Sequence, residues 1–85
     1  MNFDVYLIIT KRVNRYITYV GYAKNVKKRV DLHNKSKGAK FTKGKNWNLA
    51  YCKAYKNKSI AMKEEYKLKK NIKLRNKIKK DFINK

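Results

Sequence analysis

One cysteine, Cys52, and one histidine, His33, are all the thiol and imidazole chemistry in this chain. A lone cysteine excludes an internal disulfide, and the two residues together cannot supply the four ligands of a structural zinc site. Proline is absent and glycine occurs three times, and the sequence has no repeats, linkers or separable tails. Long apolar runs are also missing. The longest, VYLII at 5–9, is too short for a secretory h-region or a bilayer span, and no basic segment precedes it, so an intracellular protein is expected. Carboxylates are scarce too: Asp4, Asp31, Glu64, Glu65 and Asp81 are the full set.

Positive charge is what the chain has in excess. Lys and Arg number 25 against 5 Asp and Glu, a formal net charge of +20. Such a density repels itself unless a polyanion neutralises it, which points to nucleic acid. Compositional bias is the competing explanation, because 21 Lys, ten Asn, seven Ile and seven Tyr are what an AT-rich genome supplies. A basic membrane-surface helix fits less well, since the lysines surround the helical segments and leave no wide apolar face. At 85 residues the chain makes one domain with one small core, because so short a chain buries only about 60 to 65% of its unfolded surface. A hydrophobic share of 42% with 13% aromatics is enough for folding.

Residues 5–10 and 16–22 are rich in β-branched and aromatic side chains, and the KRVNR between them holds a turn at Val13 and Asn14, so the pair reads as a hairpin. NVKKRVDLHN at 25–34 offers Asn25 as an N-cap and Val26, Val30 and Leu32 at near-helical spacing. KSKGAKFTKGK at 35–45 carries two of the three glycines and reads as a loop; WNLAYCKAY at 47–55 resumes strand character. From Ser59 onward neither Gly nor Pro interrupts, which indicates one helix or two broken near Asn71 or Asn76. The order is ββαβα(α), an α+β fold with a three-stranded antiparallel sheet flanked by helices. The expected core is Val5, Leu7, Ile9, Ile17, Val20, Val26, Val30, Leu49, Ala61, Leu68, Ile72 and Ile78, and Trp47 is better suited to the core than to stacking on a base.

Chemistry-bearing residues concentrate in this pattern. On the 25–34 helix, Val26, Arg29, Val30 and His33 share one face, so Arg29 and His33 border the packed side. A guanidinium there suits phosphate or carboxylate, although a snorkelling stem explains it as well. A two-residue turn pairs position 6 with 21 and makes Tyr19 the diagonal neighbour of Tyr6 on the same sheet face. Each tyrosine taken alone is an ordinary strand residue with a wet hydroxyl. Ala61, Glu65, Leu68 and Ile72 recur at helical spacing, which sets Glu65 in an apolar stripe and Glu64 outward. A carboxylate on the core side needs a partner, either a divalent cation or Lys69 four residues on.

Taken together, these residues resemble the GIY-YIG endonuclease family, and especially its small single-domain branch. DVY at 4–6 stands where the family has GIY, with Asp4 replacing the motif glycine, and YVG at 19–21 stands where it has YIG. Arg29, then His33 and Asn34, match the downstream arginine and histidine. GAKFTKGK at 38–45 is similar to the family's basic loop, and SIAMKEEYKLKK at 59–70 to its glutamate-bearing helix, with the glutamate on Glu65. The likeness covers about residues 4 to 70.

The resemblance implies a metal-dependent DNA endonuclease with Tyr6, Tyr19, Arg29, His33 and Glu65 as its catalytic set. Glu65 would hold one Mg²⁺ or Mn²⁺, Arg29 would contact the phosphate, and Tyr19 and His33 would position water or relay a proton. Tyr6 would be the general base, its pKa falling near the cation and Arg29. Lys28, Asn34, Lys40, Thr42, Lys43 and Lys45 are the expected nucleic-acid contacts, with Phe41 able to stack on an unpaired base. The partner implied is DNA, with branched or flapped forms among the candidates and a role in repair or recombination, and the protein acts as a monomer or weak dimer without a membrane. Two other readings explain the charge: a non-catalytic basic nucleic-acid-binding protein, and an inactive member of the same fold that binds DNA without cutting it.

Overall fold

In a computed structural model the protein is described over residues 2–35 and 44–84. Three strands and three helices run in the order β1 (Phe3–Arg12), β2 (Arg15–Ala23), α1 (Val26–Asn34), β3 (Asn48–Tyr55), α2 (Lys58–Lys70) and α3 (Ile72–Ile83). This is the α+β fold with a three-stranded antiparallel sheet that the sequence predicts. Lys40, Thr42, Lys43 and Phe41 lie outside the described residues, as does most of the expected loop at 35–45.

β1 is the central strand of a sheet ordered β2-β1-β3, paired antiparallel on both sides. Its run of β-branched and aromatic residues therefore has a cover on each face, and Val5 through Ile9 are buried to 1% exposure or less. The hairpin turns at Val13 and Asn14, with Arg12 opposite Arg15 and Tyr6 opposite Gly21, the register expected. Side chains alternate across the strand. Val5 and Leu7, with Val20 of β2, pack against Ala61 and Leu68 of α2 and Ile78 of α3. Tyr6 and Ile8, with Ala23, pack on the other face against Val26 of α1 and Trp47, with Ile17, Tyr19 and Val30 at the margin.

Each helix starts on an asparagine. The Oδ1 atoms of Asn25, Asn57 and Asn71 accept from the backbone N–H groups of Lys28, Ile60 and Leu74 at 3.0, 2.9 and 3.1 Å. Such caps contribute about 1 kcal/mol apiece, and they compensate for weak amphipathic patterning in lysine-rich helices. Asn71 both ends α2 and starts α3, which locates the helix break.

Two residues expected in the core are on the surface. Ile72 is 62% exposed because it is the first residue of α3, beyond the Asn71 break, where the α2 stripe no longer continues. Leu49 is 42% exposed because β3 carries a bulge: Tyr51 faces Leu7 and Leu49 faces Ile8, leaving Ala50 extra. One unpaired residue upsets the strand's alternation, so Ala50 and Tyr51 both pack on the aliphatic cluster.

Candidate active site

Tyr6 is delivered to the site by its place on the middle strand. It is 1% exposed, and the hydroxyl end of its ring passes over Gly21 on the neighbouring strand. A Cβ at position 21 would sit 2.5 Å from the Tyr6 hydroxyl and 2.6 Å from Cζ, closer than real Cβ contacts come. Glycine is thus required there for a steric reason: it opens the lane along which the phenol passes over β2. Beyond it, the hydroxyl meets His33 Nε2 at 2.9 Å.

His33 reaches that point from the last turn of α1, whose packed face presses it onto the sheet until it is 1% exposed. The sequence expected it at the border of the core; the structure buries it fully. The ring of Tyr19 stands edge-on to it at 5.2 Å and edge-on to Trp47 at 6.5 Å, so Tyr6 and Tyr19 flank the imidazole while Trp47 backs Tyr19. Burial first, and then the nearby Arg29 guanidinium, hold the His33 pKa below its ordinary 6.5, so the imidazole is neutral at physiological pH. The Tyr6 phenol is held above the ordinary tyrosine range by its surroundings. Desolvation and the neighbouring Tyr19 push it from 10.0 to about 12, and the opposing pull of Arg29 is smaller. The hydrogen bond between the two is therefore one between a protonated phenol and a neutral imidazole.

These groups open onto a cleft of about 620 Å³ whose walls include Tyr6, Tyr19, Gly21, Arg29 and Glu65. Arg29 is exposed and lies one turn before His33, so its fork projects into the opening. Glu65 comes from α2, on the opposite side of the sheet, and reaches round the β2 edge. Its side chain is 17% exposed, and Oε1 lies 3.4 Å from Lys69 Nζ. Lys24, Lys28 and Lys58 complete a basic rim, with Lys24 Nζ also 5.5 Å from the Phe3 ring. Among the described residues the cleft thus sets four cations against a single carboxylate.

Of the other expected contacts, Asn34 has a structural duty: its amide donates to the Trp47 carbonyl at 3.1 Å and accepts from the Trp47 N–H. This two-way clasp ties the end of α1 to the residue before β3. Lys45 is half-buried outside the cleft lining. Glu64 turns partly inward, hydrogen-bonded to Tyr55 and paired with Lys67 at 3.1 Å, where the sequence expected it to face outward. Lys24 and Lys58 were missed by sequence reasoning, since nothing marks them among 21 lysines.

A hard divalent cation fits Glu65. Mg²⁺ retains several waters and is satisfied by one or two protein carboxylates together with phosphate oxygens. Among the described residues no group of three or more His, Cys, Asp or Glu side chains could hold a metal, so a fully protein-ligated cage is not what the donors suit.

The model of the GIY-YIG catalytic domain matches residues 2–79, and the chain belongs to that family, a family of endonucleases. The chain is similar to small UPF0213 proteins: 44% identical over 52 residues to one from Oceanobacillus iheyensis, covering 60% of each chain. It is 48% identical over 52 residues to UPF0213 proteins of Staphylococcus aureus, covering 60% of this chain and 63% of theirs. The matched stretch thus spans less than two thirds of the length of these relatives. No solved structure matches. Among the described residues no helix is long and apolar enough to cross a membrane.

Proposed function

We propose that the protein is a metal-dependent DNA endonuclease that hydrolyses phosphodiesters at the Tyr6–Glu65 cleft. The observation that carries this reading is the hydrogen bond between Tyr6, which lines a cleft together with Arg29 and Glu65, and a neutral His33 buried behind it. In the tautomer protonated on Nδ1, the phenol donates to Nε2. A water lodged against the Tyr6 oxygen then gives its proton to that oxygen as the phenol proton passes to His33. The pair acts as one base, so a phenol whose own pKa is about 12 need never ionise to solvent.

The hydroxide so formed attacks phosphorus and the bond to O3′ breaks, leaving a 5′ phosphate and a 3′ hydroxyl protonated by solvent. Arg29 binds the non-bridging oxygens through its fork, worth more here than a lysine because two donors are fixed in one plane. Tyr19 packs on the imidazole and holds its plane. Glu65 would carry one Mg²⁺ or Mn²⁺ with its waters, which supplies Lewis-acid neutralisation of charge developing at the phosphate and leaving oxygen. The basic rim, Lys28 included, supplies sequence-independent affinity for the backbone and a steep weakening with salt.

Plasmid nicking, with Mg²⁺ and with a chelator, tests this for wild type, Glu65→Ala and Tyr6→Phe. Metal-dependent cutting lost in both variants, with DNA binding retained, is the expected result. Binding without cutting by the wild type would leave a cationic DNA-binding domain instead. A labelled flap or junction run beside a plain duplex identifies the preferred substrate form.

A further inference from the structure

Beside the candidate active site, along the same edge strand, lies a second cleft of about 250 Å³ lined by Thr18, Tyr19, Val20, Lys69 and Arg75. Tyr19 forms part of the wall of both clefts, so they are neighbours along β2. Arg75, from the first turn of α3, has its Nε buried with no hydrogen-bond partner. Arg75 lines this open cleft, where the planar donors of a guanidinium suit an anion in charge-assisted pairing. Lys69, the second cation of this cleft, also pairs with Glu65 at 3.4 Å and so links the two openings. Among the described residues no carboxylate lines the second cleft. β2 is an edge strand, with a row of backbone N–H and C=O groups not paired within the sheet.

We propose that this cleft is a second phosphate subsite, in which Arg75, assisted by Lys69, binds a phosphate of the same DNA strand beside the one seated at Arg29. The strand then follows the β2 edge past Tyr19, with one phosphate at the α1 cleft and a neighbour at the α2–α3 cleft. The proposal rests on the reading of the first cleft as a phosphodiester site. It adds a path for the strand and a residue, Arg75, that positions the substrate without touching the reacting atoms.

The test is equilibrium binding of a fluorescein-labelled oligonucleotide over a salt series in EDTA, where metal-dependent cutting is suppressed. Wild type is compared with Arg75→Ala, Arg75→Lys and Lys63→Ala, the last removing one exposed α2 charge outside both clefts. Arg75→Ala is expected to weaken binding about tenfold and lower the salt slope by roughly one. Arg75→Lys should keep the slope but recover only part of the affinity, because the fork is lost. Lys63→Ala should shift affinity less than about twofold. Equal effects of Arg75→Ala and Lys63→Ala would overturn the subsite. If Arg75→Ala does not fold, as read by its melting curve, Arg75→Lys decides: wild-type affinity overturns the proposal and a partial loss supports it. A wild type that never cuts DNA but shows the Arg75 effect would sink the nuclease reading alone, whereas cutting without the effect would sink the subsite alone.

Discussion

The two faces of the central strand are made of different chemistry. On one, Val5, Leu7 and Val20 meet Ala61, Leu68 and Ile78, an aliphatic cluster with Tyr22, Tyr51 and Tyr55 at its margin. On the other, Tyr6, Ile8 and Ala23 meet Val26 and Trp47, with His33 buried against Tyr6 by a hydrogen bond. The first face can only hold the molecule together, and the second also holds a proton donor and acceptor in fixed register. Glu65 belongs by sequence to the helix of the aliphatic face, yet it serves the cleft of the other. The candidate site therefore depends on both faces being packed at once, with the β2 edge as the seam between them.

The sharpest way to break the contrast is to remove chemistry while leaving packing intact. Glu65→Gln and Tyr6→Phe are each expected to lower cleavage by about a thousandfold or more while leaving the cooperative unfolding transition in place, as measured by plasmid nicking and a melting curve. Gly21→Ala comes next. Its Cβ would fall on the Tyr6 hydroxyl, so the phenol must shift, which should cost about a hundredfold in cleavage and roughly 1–3 kcal/mol in stability. The reverse experiment removes packing and leaves the chemistry. Leu7→Ala, at 0% exposure on the aliphatic face, should cost about 2–5 kcal/mol in denaturant unfolding, with the folded fraction still cutting at near the wild-type rate.

Protonation separates the faces more gently, through His33 and Tyr6 on the site face. The folded-state pKa of His33 lies below its unfolded 6.5, so the unfolded chain binds the extra proton more readily and stability falls as pH drops below about 6.5. The Tyr6 value is raised from 10.0 to about 12, so its contribution is whole below pH 10 and is lost as pH rises through 12. Melting curves across both windows check the signs, and His33→Gln should flatten the acid limb. The smallest effect is expected from Asn34→Ala, which removes the clasp on Trp47 and should cost about 1–2 kcal/mol by thermal melt, with cleavage changed only severalfold.

The pairing of Tyr6 with Gly21 could be read from the sequence because a two-residue turn leaves only one register. The helix starts could be read because asparagine side chains cap them locally. Leu49 and Ile72 escaped for the opposite reason: a bulge and a helix break are decided by tertiary packing, and periodicity carried across either one assigns the wrong face. Within the site, motif spacing pointed to Tyr6, Tyr19, Arg29, His33 and Glu65. It could not reveal that His33 is sealed and neutral, because desolvation is a property of the folded surroundings. The same holds for the upward shift of Tyr6, where burial outweighs Arg29. Lys24, Lys58 and Arg75 were invisible in a chain where any lysine or arginine resembles the next.

Single-turnover nicking of supercoiled plasmid in Mg²⁺, followed from acid to alkaline pH, bears most directly on the joint action of Tyr6 and His33. The proton relay gives a rate that is level above pH 6.5 and falls about tenfold per pH unit once His33 becomes protonated. A rate that keeps climbing toward pH 12, as independent ionisation of the Tyr6 phenol requires, or no nicking at any pH, would contradict it.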